Sequence, residues 1–431
     1  MRHRTPSLCA VLALAACTVV ATSGPASAAP GALDRSFGDT GRVITDITRA
    51  NDSAGDVAIQ ANGKIVAVGR ASTRRYYGRF AVTRYRTNGH LDPAFGGDGV
   101  VTVDIATRED AAAAVAIQAD GGIVAAGSAA ITAFDGSFAL VRFEPDGTRD
   151  ATFGNAGIVT TNLSPGADGA ADVAIQADQQ IVVAGTAGNG RFAVARYDPD
   201  GTPDATFGGD GSVRNDVAAG YDSAVGVAID AGGNIVVAGT GGDGSFAVVR
   251  YGPEGTPDPS FGGGDGIVTT DLTDGYDSAN AVALDAEGNL VVAGEAGFCC
   301  EYTGRFGVVR YEPDGDLDPT FGGDGTVITN LSRTDDSAGD VAIQADGDIV
   351  VAGTEGFDGL RSRFALARYT DAGELDATFG SDGWIATSFS RGFDAARAIA
   401  IQPDGAIVAA GGSYPDPKGL NGRFALARYH G

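Results

Sequence analysis

The 431-residue sequence predicts an all-β protein, a seven-bladed β-propeller with four antiparallel strands in each blade. Three observations predict it. A Phe-Gly dipeptide recurs seven times at nearly even spacing. Each interval carries four short apolar runs divided by Gly, Asp and Pro clusters. The two ends of the chain are incomplete in complementary ways.

The dipeptide begins at Phe37, Phe95, Phe153, Phe207, Phe261, Phe321 and Phe379, with intervals of 58, 58, 54, 54, 60 and 58 residues. An aspartate stands three residues before each, giving D-x-x-F-G. One unit continues with a short strand such as Gly157–Thr161, a loop, and Val173–Gln176. A tight turn, Ile181–Gly185, a second loop and Arg191–Tyr197 complete it. The middle runs are apolar at consecutive positions, which means burial on both faces, as when sheets stack. The turn clusters and the 67 glycines suit many short strands. No segment has a sustained helical period.

An open solenoid of the same units needs polar capping repeats at its ends. The ends here are complementary instead. The mature chain opens with Leu33–Gly38 and one strand, Gly41–Thr45, and closes with three strands, Ala398–Gln402, Ile407–Gly411 and Arg423–Tyr429. Joining them makes a seventh blade and leaves no open edge.

The motifs D-x-x-F-G-x-x-G, V-A-I-Q-x-D-G-x-I-V-V-A-G and R-F-A-x-x-R-Y resemble the delta-60 repeat of secreted bacterial proteins, over essentially the whole mature chain. More loosely, they are similar to NHL-type propeller repeats. The resemblance implies a propeller and an extracellular address, with no assigned activity. It also implies that the strand of Val173–Gln176 lines a central channel and that Gly157–Thr161 is outermost.

Arg2 and Arg4, an apolar stretch from Leu8 to about Ala21 and the small residues Ala26-Ser27-Ala28 predict a signal segment over 1–28 and one mature domain over 29–431. Leu14–Cys17 also resembles a lipobox, which makes a lipid anchor at Cys17 the alternative to free secretion. No other segment is long and apolar enough to span a membrane. The 55 acidic against 30 basic residues give a net charge of −25, which excludes nucleic acid as a partner and suits solubility.

Catalytic groups are scarce. The mature chain has His90 and His430, far apart, and lacks the nucleophile-elbow and zinc-helix motifs. No cofactor is expected. Asp52, Asp110, Asp168, Asp222, Asp277, Asp336 and Asp394 each lie five residues before the Val or Ile of an inner strand, where they would encircle one mouth of the channel. They are weak candidates for a hard cation. As turn caps they would accept backbone N–H bonds, and recurrence in every unit favours that role. The D-P-D-G turns, such as Asp198–Gly201, lack the further ligands of a calcium loop. Seven strand arginines, Arg84, Arg142, Arg196, Arg250, Arg310, Arg368 and Arg428, share a face with apolar residues and need partners, for which the D-x-x-F-G aspartate of the same unit is the candidate. Cys299 and Cys300 are adjacent and make a poor disulfide framework; their state stays open.

The loops before the R-F-A strands vary most. Those of the third and fourth units are short, and the others carry Tyr76, Tyr77, Phe134, Phe298, Tyr302, Phe357 and Tyr414. These aromatics mark a candidate ligand-binding face, shared with Tyr221, Tyr276 and Phe393. The expected function is a secreted, non-enzymatic binding or scaffold propeller for an extracellular protein or glycan. The alternative is a carboxylate-dependent hydrolase or lyase acting on extracellular polysaccharide or cell-wall material.

Overall fold

The computed structural model describes residues 28–74, 77–132, 135–298, 304–416, 419 and 421–431. The expected signal segment apart from Ala28, together with Cys17, Tyr76, Phe134, Cys299, Cys300 and Tyr302, lies outside these residues, as does the side chain of Phe298. Among the described residues there are 28 strands and no helix, so none could cross a membrane as a helix.

The strands form five four-stranded antiparallel sheets and one eight-stranded sheet. The latter is two four-stranded units joined by one parallel bridge, Gly78 to Glu109. In the third unit Gly169–Ile175 lies at one edge, followed by Ile181–Ala187, Arg191–Tyr197 and Ser212–Asn215. The consecutive apolar residues of the second strand serve two cores. Ile181 and Val183 pack with Val124 and Leu140 of the second unit, while Val182 and Ala184 pack with Ile235 and Val249 of the fourth. Each fully buried Val or Ile contributes about 1.5–3 kcal/mol.

Two glycines show why the motif is strict. The first strand shifts register between Ala170 and Asp172, a β-bulge, and Gly185 sits against it. A Cβ on Gly185 would lie 2.1 Å from the Gly169 carbonyl oxygen. Gly208 of D-x-x-F-G has φ +62°, and its Cβ would lie 2.2 Å from the Ser212 oxygen.

The chain ends meet. Arg42–Thr45 pairs antiparallel with Arg423–Tyr429, with Arg42 opposite Ala427. The Gly31 N–H donates to the His430 carbonyl at 2.7 Å, and the His430 N–H donates to Ala32 at 3.0 Å. The Gly380 N–H donates to Pro30 at 3.0 Å, where the equivalent Gly322 donates to Ala372 in the turn of the next unit. One core cluster joins Val57, Ile65 and Ala81 of the first unit to Ala398, Val408 and Leu426 near the C-terminus. Among the described residues no sheet closes on itself.

Candidate functional site

Each unit has two ends, and they differ. At the D-x-x-F-G end all seven strand arginines pair with an aspartate, at 2.5 to 3.4 Å. The partner lies eight residues downstream, as in Arg196–Asp204 at 2.7 Å; for Arg428 it is Asp34, across the chain ends. It therefore opens the following D-x-x-F-G repeat and is not the aspartate of the arginine's own repeat, although both stand in one four-stranded sheet, Asp204 lying in the connection from Arg191–Tyr197 to Ser212–Asn215. The reason is the tight turn after the third strand, where the Asp204 N–H donates back to the Arg196 carbonyl at 3.0 Å. The guanidinium also reaches the neighbouring unit, with Arg196 donating to Pro253 at 2.7 Å, and lies 4.8 Å from the Phe207 ring centroid. Burial pushes the Asp204 carboxyl up; the Thr206 hydrogen bonds and Arg196 outweigh it and hold the group below its ordinary range.

The aspartates expected around a channel mouth stand at the starts of the innermost strands, at most 1% exposed. Asp168 accepts the N–H groups of Leu163 at 2.6 Å, Ser164 at 3.1 Å and Gly188 at 2.7 Å, plus the Ser164 hydroxyl at 2.8 Å. Asp222 and Asp277 accept the equivalent donors from Val217 and Gly242, and from Leu272 and Gly297. Asp52, Asp110, Asp336 and Asp394 likewise accept the N–H five residues upstream, from Ile47, Ile105, Leu331 and Phe389. These carboxylates tie loops together. Among the described residues no group of three or more His, Cys, Asp or Glu side chains is arranged to hold a metal ion.

The innermost strands carry a different set. A cavity of about 100 Å3 is lined by the innermost strands of all the units, and Asp56, Asp172 and Asp340 face it. Each carboxylate staples two units. Asp172 accepts from its own neighbour Val173 at 2.7 Å and from Val227 of the next unit at 2.8 Å. Asp56 does the same with Val57 and Val115, and Asp340 with Val341 and Ile399. Burial pushes Asp172 up to about 6 and Asp340 up to about 7; Asp56, which also feels Asp172 and Asp340, rises well above its ordinary value. The sequence reading missed these three. The available signal was the residue before the inner Val or Ile, which reads Asp, Ala, Asp, Gly, Ala, Asp, Ala along the seven units.

The opposite end holds the variable loops. The second strands of the third and fourth units have 7 and 6 residues, whereas those of the other units have 8 to 10. The longer hairpins stand higher on this rim. Tyr77 is 45% exposed, and Tyr221 and Tyr276 are 60% and 46% exposed. Phe393 packs between Phe357 and Tyr414, with centroid distances of 5.5 and 5.6 Å. Phe298 ends a second strand opposite Tyr276. The structure thus brings Phe357, Phe393 and Tyr414 together. Beside the trio lies a cleft of about 600 Å3 lined by Arg361, Arg363 and Arg391, residues that sequence reasoning also passed over.

Four-stranded units of this construction define a β-propeller repeat protein. Six segments, 60–95, 118–153, 176–207, 233–261, 286–321 and 344–379, match the family described as domain of unknown function (DUF5122) beta-propeller. These matches support a β-propeller repeat family. Among curated proteins no relative matches the chain. A polysaccharide lyase (ulvan lyase) bound to -[GlcA(1-4)Rha3S]- is similar at 13% identity and a TM-score of 0.51, over 89% of this chain and 95% of that one. A fungal alcohol oxidase in complex with copper is similar at 13% identity and a TM-score of 0.50, over 90% of this chain and 75% of that one. Virginiamycin B lyase from Staphylococcus aureus gives 8% identity and a TM-score of 0.49, over 90% and 98%. At 13% identity the likeness to the polysaccharide lyase and the alcohol oxidase is one of fold.

Proposed function

We propose that the chain is a secreted, seven-bladed propeller, closed by the N-terminal strand, that serves as a non-enzymatic binding or scaffold module for an extracellular protein or glycan. Its ligand engages the rim of variable loops. The observation that carries this reading is the difference between the two ends of each unit. One end repeats the same arginine, aspartate and phenylalanine seven times. The other differs from unit to unit in loop length, aromatic content and charge. The pairing of Arg42–Thr45 with Arg423–Tyr429 and the core shared by the first and last units support closure. Secretion rests on the charged and apolar N-terminal run ending at Ala28, with a lipid anchor at Cys17 as the other route.

The raised carboxyls of the channel favour the hydrolase or lyase reading, because such groups mark acid–base sites. Their surroundings favour it less. Both oxygens of each carboxylate are engaged by backbone N–H groups, and a cavity of about 100 Å3 holds a few waters and no sugar ring. A glycan array and a pulldown of extracellular proteins with the purified 29–431 chain test the proposal. Saturable binding without turnover, lost when Tyr77, Phe357 and Tyr414 are replaced by Ser, is the expected result. Cleavage of an arrayed polysaccharide that disappears in Asp172→Asn or Asp340→Asn would install the enzyme reading in its place.

A further inference from the structure

The clefts after the fourth and the sixth units are the same place in the fold, lined in opposite ways. Ser388–Gly392 in one occupies the position of Asp271–Gly275 in the other, each leading to a buried loop-tying aspartate, Asp394 or Asp277. The cleft after the fourth unit, about 690 Å3, presents Asp243, Asp271 and Asp274 and no cation. The cleft after the sixth, about 600 Å3, presents Arg361, Arg363 and Arg391 with Ser388 and Ser390.

The two acids in the basic cleft are already engaged. Glu355 is 2% exposed and ion-paired with the Nε of Arg363. Asp358 accepts the N–H groups of Leu360 at 2.9 Å and Arg361 at 2.8 Å, capping its own loop. Among the described residues neither Arg361 nor Arg391 has a carboxylate within ion-pair distance, and both are exposed. Three guanidinium groups against two carboxylates, with Asp358 near enough to Arg361 to feel its charge, leave an excess of positive charge at one concavity of a chain of net charge −25. Over a Debye length of about 8 Å at physiological salt, this local charge and not the distant acidic surface governs what enters. The aromatic trio adjoins the cleft, since Phe357 and Phe393 are chain neighbours of its lining residues Gly356 and Gly392.

We propose that the cleft between the sixth and seventh units binds an acidic saccharide. Arg361, Arg363 and Arg391 meet its carboxylate or sulfate through charge-assisted hydrogen bonds, and the trio of Phe357, Phe393 and Tyr414 offers apolar surface to its ring. The volume suits a ligand of sugar size. The proposal rests on the reading of the loop rim as the binding face and names its chemistry.

Isothermal titration of the 29–431 chain with three tetrasaccharides tests it: one from hyaluronan, bearing carboxylate alone, one from heparin, bearing carboxylate and sulfate, and neutral maltotetraose. Binding of one or both acidic probes, weakening as NaCl is raised, with none of maltotetraose, is expected; hyaluronan and heparin then report which anion is read. The double variant Arg361→Ser, Arg391→Ser should lose at least about tenfold in affinity with an unchanged melting temperature. The matched variant Asp271→Ser, Asp274→Ser in the acidic cleft should retain binding. Failure of both acidic probes at millimolar concentration, or binding that survives the arginine double variant, overturns the proposal. Maltotetraose binding that requires the trio but not the arginines overturns the acidic specificity and leaves the rim as the binding face.

Discussion

The D-x-x-F-G end and the loop end of this molecule are built on the same strands and obey different rules. At the first, every unit spends its arginine on an aspartate, buried in four cases and partly exposed in three, and in six units the guanidinium lies 4.8 to 5.0 Å from a phenylalanine centroid. At the second, equivalent clefts carry arginines in one place and aspartates in another. Sevenfold repetition suits what every interface needs. A ligand needs one place, so departure from repetition is where recognition is to be sought. The buried loop-tying aspartates sit at the loop end yet follow the first rule, which places them with the architecture.

Removing the N-terminal complement should break the repeated end most severely. Deleting residues 31–47 removes Asp34 from Arg428 and Arg42–Thr45 from the edge of Arg423–Tyr429. An unpaired edge and an unpaired buried arginine should give aggregation during refolding, read by light scattering. A monomeric deletion variant that melts with the parent would show that the pairing of the chain ends does not hold the fold together. Within a single unit, Arg196→Ala strands Asp204, 6% exposed, without its ion partner and should cost on the order of 3–5 kcal/mol in denaturant unfolding. A loss under about 1 kcal/mol would mean that the pair is as dispensable as a surface salt bridge.

The two kinds of carboxyl should also separate by pH. Asp34, Asp92, Asp150, Asp204, Asp258, Asp318 and Asp376 are held below their ordinary value, so their stabilisation is present above it and lost on acidification. Asp172 and Asp340 are raised to about 6 and about 7, so the folded state favours their protonated forms. That contribution is present in acid and lost as pH rises through those values. Stability should therefore peak near pH 4 and fall by on the order of 2 kcal/mol as pH rises from there to about 7, less than the full linkage because Arg397 also lines the cavity. Replacing Asp56, Asp172 and Asp340 together by Asn should flatten the alkaline limb. An unchanged limb would assign the decline to other groups.

The fold is legible because each rule acts once per unit and the units can be laid over one another. Consecutive Val, Ile and Ala mean burial on both faces, and Gly185 or Gly208 is required where a Cβ has no room. The arginine's need for an acid is legible too. Which acid it takes is a property of the turn, seen only when the Asp204 N–H folds back on Arg196. The channel carboxylates escape because Asp56, Asp172 and Asp340 are far apart in sequence and converge only when the inner strands line one cavity. The basic cleft escapes because aromatics attract notice on loops, whereas Arg361 and Arg391 gain meaning only once Glu355 and Asp358 are seen to be engaged.

Hydrogen–deuterium exchange of the 29–431 chain, resolved by peptide, tests most directly the claim that one end is architecture and the other is free to bind. The amides of Arg196, Asp204 and their counterparts in the other units should exchange only by global unfolding, all together, while the loop 358–361 opens locally and exchanges orders of magnitude sooner. Equal protection at the two ends, or early exchange of a single unit's D-x-x-F-G turn, would contradict it.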